Sequence, residues 1–393
     1  MDKHFRIALL LNANKAYDRQ IIEGICEYLY ASPCDWNIFL EDDFITRVDT
    51  FNPWEGDGVI ADYESPQIAE ILDGYNIPIV GVGGSYLNER EHPNVPYVVS
   101  DDRSLVTFAF NHLKDKGLEH FAFYGMPDDS WKKWAKARKL AFENIIQTEG
   151  YTSYVYLGHE ATPQTWMHDM EQLADWIKKL PKPIGIISVC DARARHLLQI
   201  CDQLNIIVPN EVSIIGIDND EIARCLSRVS LSSVGQNCKE IGYQSAKLLH
   251  RLLDDPEFNK DSLVKITKRL VQPTKVYERQ STDFRALNDP YVIQAVHYIS
   301  NNARKKIRVD QVLEYIGISR TNMEVRFRDI LGHSIHQEIY NAKLKQACNL
   351  LTTTSLPLAE ISEICGYTTL QYMYKVFKKN LAKTPKEYRE FVR

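Results

Sequence analysis

The sequence has no hydrophobic run long enough to cross a membrane. Its longest apolar stretch near the start, Ile7–Leu11, has only five residues, whereas a membrane-spanning helix needs about 20 and the core of a signal peptide at least 7. No segment is of low complexity, and 44% hydrophobic and 25% charged residues are ordinary values for a globular protein. For 393 residues we therefore expect a soluble, cytoplasmic protein of two or three domains.

The sequence also lacks the spacings of common metal and catalytic sites. None of its eight cysteines is spaced as C-x-x-C, and its histidines do not form a metal pattern. The cysteines are interpreted as reduced, small apolar residues. The glycine-rich stretch Val80–Ser85 lacks G-x-G-x-x-G spacing, and there is no P-loop or G-x-S-x-G motif. We therefore expect no metal and no cofactor, and the sequence favours a binding protein over an enzyme.

Charge is divided unevenly along the chain. Residues 285–393 contain 17 Lys and Arg against 10 Asp and Glu, a net charge of +7. The whole chain has 47 Lys and Arg and 52 Asp and Glu, so residues 1–284 contain 30 basic and 42 acidic residues, a net charge of −12. A basic end on an acidic body indicates binding to nucleic acid, although many basic faces are merely solvated.

Residues 1–277 alternate between short apolar runs and amphipathic stretches. The runs include Phe5–Leu11, Phe121–Tyr124 and Val212–Ile217, and helical patterns such as Tyr17–Tyr30 and Cys238–Leu253 fall between them. Continuous apolar runs are typical of parallel strands that are buried on both faces. The repeated strand–helix rhythm predicts two doubly wound parallel sheets.

The remainder of the chain has a helical pattern. Residues 278–288 are polar and predict a linker, which leaves residues 289–393 as a separate domain. Within this domain Val309–Phe327 resembles Leu358–Phe377, and each segment has a short apolar helix, a turn glycine and a second helix. Helix pairs of this kind can place their second helix in a major groove. Asp289-Pro290, Ser334–Gln337 and Thr384–Glu387 are helix-start signals.

The second segment extends into a pattern that resembles the AraC/XylS family. The pattern comprises Gly366-Tyr367, Tyr374–Lys379 and Thr384–Arg389, and the resemblance covers roughly residues 288–392. It implies an all-α domain with two helix-turn-helix motifs that bind double-stranded promoter DNA. The residues that it places toward DNA are Arg320, Thr321, Glu324, Val325 and Arg328 in the first motif and Leu370, Gln371, Tyr374, Lys375 and Lys379 in the second.

Each of these side chains could contact a base, contact a phosphate or remain solvated. Glu324 and Val325 differ from the long donors that are usual in the first motif. The residues that match buried positions of the family are Met323, Phe327, Met373 and Phe377.

Residues 5–275 resemble the sensor domains of the LacI/GalR family and the ribose-type periplasmic binding proteins. The resemblance implies a two-lobed α/β sensor whose ligand lies at the carboxyl ends of the strands. Asp218 ends the strand Ile214–Ile217, Arg138 has the spacing of the family's ligand-binding arginine, and Gln236 matches its hinge glutamine. The ligand-binding residues that the resemblance implies are Asn14, Asp18, Phe123, Arg138, Asp191, Arg193, Asp218 and Gln236.

Carboxylates, an arginine and amides that converge between two lobes suit a sugar, because each hydroxyl both donates and accepts hydrogen bonds. Phe123, Trp131 and Trp134 are candidates for stacking on the sugar ring. The alternatives are ordinary packing for the tryptophans and a structural ion pair for Asp218 or Arg138.

The fusion of these two domains resembles the xylose-responsive activators of enteric bacteria. The resemblance includes Asn12–Arg19 and Asp191–Arg195, and it implies D-xylose as the effector. It also implies a homodimer formed through the sensor, contact with RNA polymerase and association with the nucleoid. The residues alone indicate only a small polyol or sugar, and a repressor or a response to another pentose or hexose remains open.

Overall fold

The computed structural model describes residues 4–40, 55–83, 94–127, 132–159, 162–255, 268–285, 287, 289–305 and 307–392. The chain forms two compact units, Met1–Phe284 and Arg285–Arg393. The first unit contains two α/β lobes, and the described part of the second unit is helical.

The first lobe is a six-stranded parallel sheet with helices on both faces. Its elements are β1 (Phe5–Leu10), α1 (Ala16–Ala31), β2 (Trp36–Leu40), β3 (Gly58–Asp62), α2 (Pro66–Leu72), β4 (Ile79–Val82), β5 (Tyr97–Ser100), α8 (Cys238–Asp254) and β11 (Lys268–Val271). Alternate residues of a strand serve opposite faces. Ile7 and Leu9 pack toward α1 and α8, whereas Ala8 and Leu10 pack toward α2.

Two glycines let α1 and α8 approach each other closely. A Cβ atom on Gly24 would lie 1.9 Å from the carbonyl oxygen of Lys239, and one on Gly242 would lie 1.9 Å from that of Ile21. Only glycine can therefore occupy these two positions without moving the helices apart.

The second lobe is also a six-stranded sheet, and the β10–β12 pair is antiparallel. Its elements are α3 (Asp102–Asp115), β6 (Phe121–Tyr124), α4 (Lys133–Glu149), β7 (Ser153–Tyr156), α5 (Trp166–Lys179), β8 (Ile184–Ser188), α6 (Asp191–Gln203), β9 (Val212–Ile217), α7 (Glu221–Cys225), β10 (Ser232–Val234) and β12 (Val276–Tyr277). The strand orders are β11-β5-β4-β3-β1-β2 and β12-β10-β9-β8-β6-β7. In each sheet the chain first adds a strand on one side of the starting strand and then continues on the other side. This change of side falls between β1 and β3 in the first sheet and between β6 and β8 in the second, and open α/β sheets bind ligands at such switch points.

In the described part of the first unit, the chain passes between the lobes at Ser100–Asp102, Gly235–Asn237 and Gln272–Lys275. These crossings are joined to one another. The Asp101 backbone N–H donates to the carbonyl of Val271 at 3.0 Å, and Gly235 and Lys275 are joined by a backbone bond of 3.1 Å. The three segments therefore form a connected hinge.

Part of the segment predicted as a linker is built into the first unit. Gln280–Thr282 form a 3₁₀ helix in which Ser281 and Thr282 are buried. The Ser281 hydroxyl donates to the carbonyl of Ile214 at 2.6 Å, and the Thr282 hydroxyl donates to the Ser232 hydroxyl at 2.7 Å. Hydroxyl residues look polar in sequence, but here they satisfy their hydrogen bonds inside the lobe. Of the predicted linker, 286 and 288 lie outside the described residues.

The second unit contains two helix-turn-helix motifs joined by a long helix. Its elements are α9 (Pro290–Asn302), α10 (Val309–Ile316), α11 (Arg320–Leu331), α12 (Ile335–Thr353), α13 (Leu358–Ile364), α14 (Leu370–Leu381) and α15 (Pro385–Val392). α11 is the second helix of the first motif, and α14 is the second helix of the second motif. Gly317 and Gly366 have φ of 75° and 67°, the left-handed conformation that their turns require.

Side-chain caps fix where the helices of the second unit begin. Asp289 accepts hydrogen bonds from the backbone N–H groups of Tyr291 and Val292, and Ser334 accepts one from Gln337. Thr384 and Glu387 form a reciprocal capping box. These three predicted helix starts are confirmed.

Candidate functional site

A cavity lies between the two lobes of the first unit, at the carboxyl ends of their strands. Its volume is about 190 Å³, which suits a small organic molecule rather than a polymer. Most of the residues that line it have charged or polar side chains. The lining residues are Lys15, Tyr17, Asp18, Asp62, Glu64, Gly83, Val99, Ser100, Asp102, Lys132, Trp134, Arg138, Asp218 and Gln236.

Arg138 organises the wall that the second lobe contributes. Its guanidinium donates to Asp102 Oδ1 at 2.8 Å and to the carbonyl of Val189 at 2.7 Å, and it lies 3.9 Å from Asp218 Oδ1. The same group lies over the Trp134 ring, 4.7 Å from its centre. Burial opposes the charge of Arg138, but the charges of Asp102 and Asp218 raise its pKa above the ordinary value. The site therefore contains a fixed cation.

Asp218 links the cavity to the hinge. Its Oδ1 accepts a short hydrogen bond from the Gln236 side-chain amide, and Gln236 Oε1 accepts one of 2.8 Å from the Ser100 hydroxyl. Asp218 has φ of 125°, a conformation that is rare for a residue other than glycine and that concentrates at functional sites. Burial raises the pKa of Asp218 to about 6, although Arg138 lowers it.

Two more carboxylates come from the first lobe. Asp18, near the start of α1, accepts a hydrogen bond from the Asn12 backbone N–H at 2.8 Å. Asp62 ends β3, lies 3.7 Å from Lys15 Nζ and accepts a hydrogen bond of 2.9 Å from the Glu64 backbone N–H. Burial raises the pKa of Asp18 to about 7, with Asp62 as the next cause, and burial also raises the pKa of Asp62.

Glu64 is a further buried acid at the same strand end. Burial raises its pKa to about 7, and the neighbouring charge of Asp62 is the next cause. The cavity thus gathers carboxyl groups whose pKa values are raised by burial, together with a permanent cation. Such a set can accept hydrogen bonds from several hydroxyl groups at once.

Four of the eight predicted ligand-binding residues line this cavity: Asp18, Arg138, Asp218 and Gln236. Trp134, one of the stacking candidates, lines it as well. Trp131 lies outside the described residues.

The other four predicted residues are not in its lining. Asn14 is exposed, and its backbone N–H donates to the Asn12 side chain at 3.0 Å. Phe123 is fully buried and stacks on Phe142, with 5.4 Å between the ring centres. A side chain of β6 that packs against α4 in this way is part of the core.

Asp191 and Arg193 are also used inside the second lobe. Asp191 accepts hydrogen bonds from the Ser233 hydroxyl and the Asp220 backbone N–H, both at 2.7 Å. Arg193 donates to the Tyr124 hydroxyl at 2.8 Å and to the carbonyl of His159 at 2.7 Å. Both side chains therefore pair with groups of the second lobe itself, which is a structural explanation for two buried charged residues.

Sequence reasoning missed several lining residues that carry charge or hydrogen-bonding groups. They are Lys15, Tyr17, Asp62, Glu64, Ser100, Asp102 and Lys132. A signal was present, because Asp62 and Glu64 lie at the end of β3 and Ser100 and Asp102 at the end of β5. These are the positions from which parallel sheets contact ligands.

The second helix of each helix-turn-helix motif presents an exposed row of side chains. Ser319 caps α11 and Thr369 caps α14 through hydrogen bonds to backbone N–H groups. The predicted DNA contacts that are exposed are Arg320, Thr321, Val325, Arg328, Gln371, Lys375 and Lys379, and those that are partly buried are Glu324, Leu370 and Tyr374.

The opposite sides of these helices form the cores of the motifs. Met323, Phe327, Met373 and Phe377 are fully buried, as predicted. Leu370 packs against the second core, and Glu324 Oε2 is buried without a hydrogen-bond partner among the described residues. These two are therefore less accessible than the other predicted contacts.

In the described part of the chain, no three His, Cys, Asp or Glu side chains are arranged to hold a metal ion. No helix there is both long and apolar enough to span a membrane.

Three family models match successive parts of the chain. Residues 6–103 match the XylR N-terminal domain, residues 110–282 a periplasmic binding protein-like domain, and residues 312–390 a helix-turn-helix domain. The first two cover the two-lobed unit, and the third covers both helix-turn-helix motifs.

Relatives match over nearly the whole length. The xylose operon regulatory protein of Escherichia coli K12 is 53% identical over 99% of this chain and 97% of its own, and that of Haemophilus influenzae is 47% identical over 99% of each. A solved structure described as the xylose-binding transcription activator xylR is 51% identical, with a TM-score of 0.89 over 100% of this chain and 99% of its own.

More distant structures match the first unit alone. A periplasmic binding protein/LacI regulator from Alkaliphilus metalliredigens is 20% identical, with a TM-score of 0.53 over 70% of this chain and 98% of its own, which shows a shared fold. Fold, domain order and full-length identity agree, and the chain therefore belongs to the xylose operon regulatory protein family: it is a transcription regulator with a periplasmic-binding-protein-like sensor and a helix-turn-helix DNA-binding domain, and it is not an enzyme.

Proposed function

We propose that this chain activates genes of xylose uptake and catabolism when D-xylose occupies the cavity between its lobes. The observation that carries the proposal is the convergence of carboxylates from both lobes around Arg138 in a cavity of about 190 Å³. The names of the full-length relatives, which include a xylose-binding transcription activator, support the choice of sugar and the sign of regulation.

The chemistry of the cavity suits an uncharged ligand rich in hydroxyl groups. Asp18 from the first lobe and Asp218 from the second would accept hydrogen bonds from hydroxyl groups, and Arg138 would donate to a ring or hydroxyl oxygen. Hydrogen bonds to charged groups are each worth about 1.5–3 kcal/mol. The Trp134 ring, held against Arg138, offers an apolar surface to one face of the sugar.

Calorimetric titration of the full chain tests this site. Wild-type protein should bind xylose and discriminate against ribose, arabinose and galactose. Asp218→Asn should weaken binding at least tenfold, whereas Asp175→Asn, an exposed acid of the same lobe, should have no effect. Equal binding of all four sugars would reject xylose as the effector, and full affinity in Asp218→Asn would reject the site.

We further propose that the exposed side chains of α11 and α14 bind DNA in adjacent turns of the major groove. Of these, Arg320, Gln371 and Lys375 carry long hydrogen-bonding side chains that reach bases or phosphates. A homodimer that pairs through the sensor would cover two half-sites and present an activating surface to RNA polymerase. Such a regulator works in the cytoplasm, associated with the nucleoid when it is bound to DNA.

A short chain of contacts connects the cavity to the segment that leads to the DNA-binding domain. Asn219 follows Asp218 directly, and its side-chain oxygen accepts a hydrogen bond of 2.7 Å from Arg279 Nη2. Arg279 also donates to the carbonyl of Leu231 at 2.8 Å and precedes the 3₁₀ helix Gln280–Thr282. We expect a sugar that engages Asp218 to shift this segment.

The test separates binding from response. Arg279→Met should bind xylose with nearly wild-type affinity but lose most of the xylose-dependent change in DNA affinity. Arg228→Met removes an exposed arginine of the same region and is the control. Normal xylose-dependent DNA binding in Arg279→Met would exclude this route.

A further inference from the structure

Glu64 reaches from one lobe of the sensor to the other. It follows β3 of the first lobe, and its Oε1 accepts a hydrogen bond of 2.8 Å from the backbone N–H of Lys133. Lys133 is the first residue of α4, which packs against α3, β6 and β7 of the second lobe. A carboxylate at a helix N-terminus is stabilised by the unpaired N–H groups and the helix dipole. This contact therefore favours the arrangement in which the lobes are close together.

The second carboxylate oxygen of Glu64 takes no part in the contact with α4. Oε2 is buried and has no hydrogen-bond partner among the described residues. Glu64 is 8% exposed as a whole and lines the cavity that also contains Asp18 and Asp218. A buried acceptor without a donor is unfavourable until a ligand supplies one.

We propose that Glu64 is both a latch between the lobes and a residue that selects the ligand. Oε1 holds the start of α4, and Oε2 accepts a hydrogen bond from a hydroxyl group of the bound sugar. The second role rests on the proposed function, because it requires a sugar in the cavity, whereas the latch role does not. A latch that populates the closed arrangement in advance raises the affinity for any ligand that bridges the lobes.

Distance measurements without sugar test the latch. Cys26 on α1 and Cys225 on α7 are exposed, one in each lobe, and they can carry spectroscopic labels once Cys34 and Cys348 are changed to serine. In this background Glu64→Ala should lengthen the label-to-label distance. Glu64→Gln should leave it unchanged, because the amide oxygen still accepts from Lys133. Glu70→Gln, an exposed position on α2, is the matched control.

Xylose titration tests the selecting role. At pH 8 Glu64→Gln should weaken binding about tenfold to a hundredfold, because one charged acceptor is lost. The wild-type affinity should fall between pH 8 and pH 6, and this fall should be shallower in the variant. The charged groups that act on Glu64 are Asp62, Asp102 and Lys133, and the cavity also contains Lys15, Asp18, Lys132, Arg138 and Asp218; all of them are retained in both proteins.

The two outcomes are independent. An unchanged label distance in Glu64→Ala would overturn the latch, and an unchanged xylose affinity in Glu64→Gln would overturn the selecting role. If the wild-type protein did not bind xylose at all, the proposed function would fail, but the label distances would still decide the latch.

Discussion

Replacing Arg138 with methionine should destabilise the sensor strongly and in a pH-dependent way. Arg138 and Asp102 form a buried pair, with side chains 3% and 7% exposed. Breaking a buried pair by removing one partner costs about 3–5 kcal/mol, because the remaining charge keeps its desolvation cost. Methionine replaces the aliphatic stem of the side chain but leaves Asp102, Asp218 and the carbonyl of Val189 without the guanidinium.

The sign of the pH effect follows from Asp218. Its pKa is about 6, above the ordinary value, and it should rise further when Arg138 no longer lowers it. When folding raises the pKa of a carboxyl group, the folded protein holds that proton more tightly than the unfolded chain does. The resulting stabilisation is complete below the unfolded pKa, near 4, and it is lost as the pH rises to the pKa of the folded state. The destabilisation of Arg138→Met should therefore be largest at pH 8 and smaller at pH 5.

Thermal unfolding and urea denaturation at pH 5, 6.5 and 8 measure this effect. At about 2–4 °C per kcal/mol, the melting temperature at pH 8 should fall by roughly 10 °C. Lys136→Met, an exposed position on the same helix, should behave like the wild type. A loss of stability that is the same at all three pH values would refute the role assigned to the ionised carboxylates.

Three further predictions concern packing, protons and DNA. Gly242→Ala should lower the free energy of unfolding by more than about 2 kcal/mol, since its Cβ would lie 1.9 Å from the Ile21 carbonyl oxygen. A melting curve checks this, with the exposed Gly74→Ala as the control, because a Cβ on Gly74 would meet no atom closer than 4.0 Å. Xylose binding should release protons near pH 7, because cavity carboxyl groups with pKa values of about 6 to 7 accept hydrogen bonds from hydroxyl groups better when they are ionised. Calorimetric titrations in buffers of different ionisation enthalpy measure this release, and its absence would count against carboxylate contacts with the sugar. Gln371→Ala should relax the preference for the target sequence and cost about 1–3 kcal/mol of binding free energy. Lys379→Ala should weaken binding to all DNA sequences alike and reduce the slope of log affinity against log salt concentration by about one. Binding curves on matched and mismatched DNA separate the two effects.

The sequence predicted the strands that are continuous apolar runs, because their burial on both faces is visible as composition. Phe121–Tyr124 and Val212–Ile217 have the predicted bounds. Lys268–Val271 was missed, since it begins with two charged residues and, among the described strands, pairs with β5 alone at the edge of its sheet. The seven-residue helix Pro66–Leu72 was too short to show a periodic pattern.

The site was predicted in part, because strand ends are visible in sequence but tertiary partners are not. Asp218 and Asp191 both follow apolar strands, yet Asp218 lines the cavity whereas Asp191 turns inward to Ser233. No local pattern distinguishes them. Glu64 could have been found by applying the strand-end rule to β3, but its contact with α4 depends on how the two lobes meet.

The most direct test of the account is the affinity of the full chain for paired half-sites with and without xylose. The DNA should be selected from a random library by the protein itself, and the binding curves should be repeated with Asp218→Asn. We expect xylose to tighten binding about 5- to 150-fold, a coupling of about 1–3 kcal/mol, and Asp218→Asn to show no such change. Equal DNA affinity with and without xylose, in a protein that binds the sugar, would contradict control of the DNA-binding domain by the cavity.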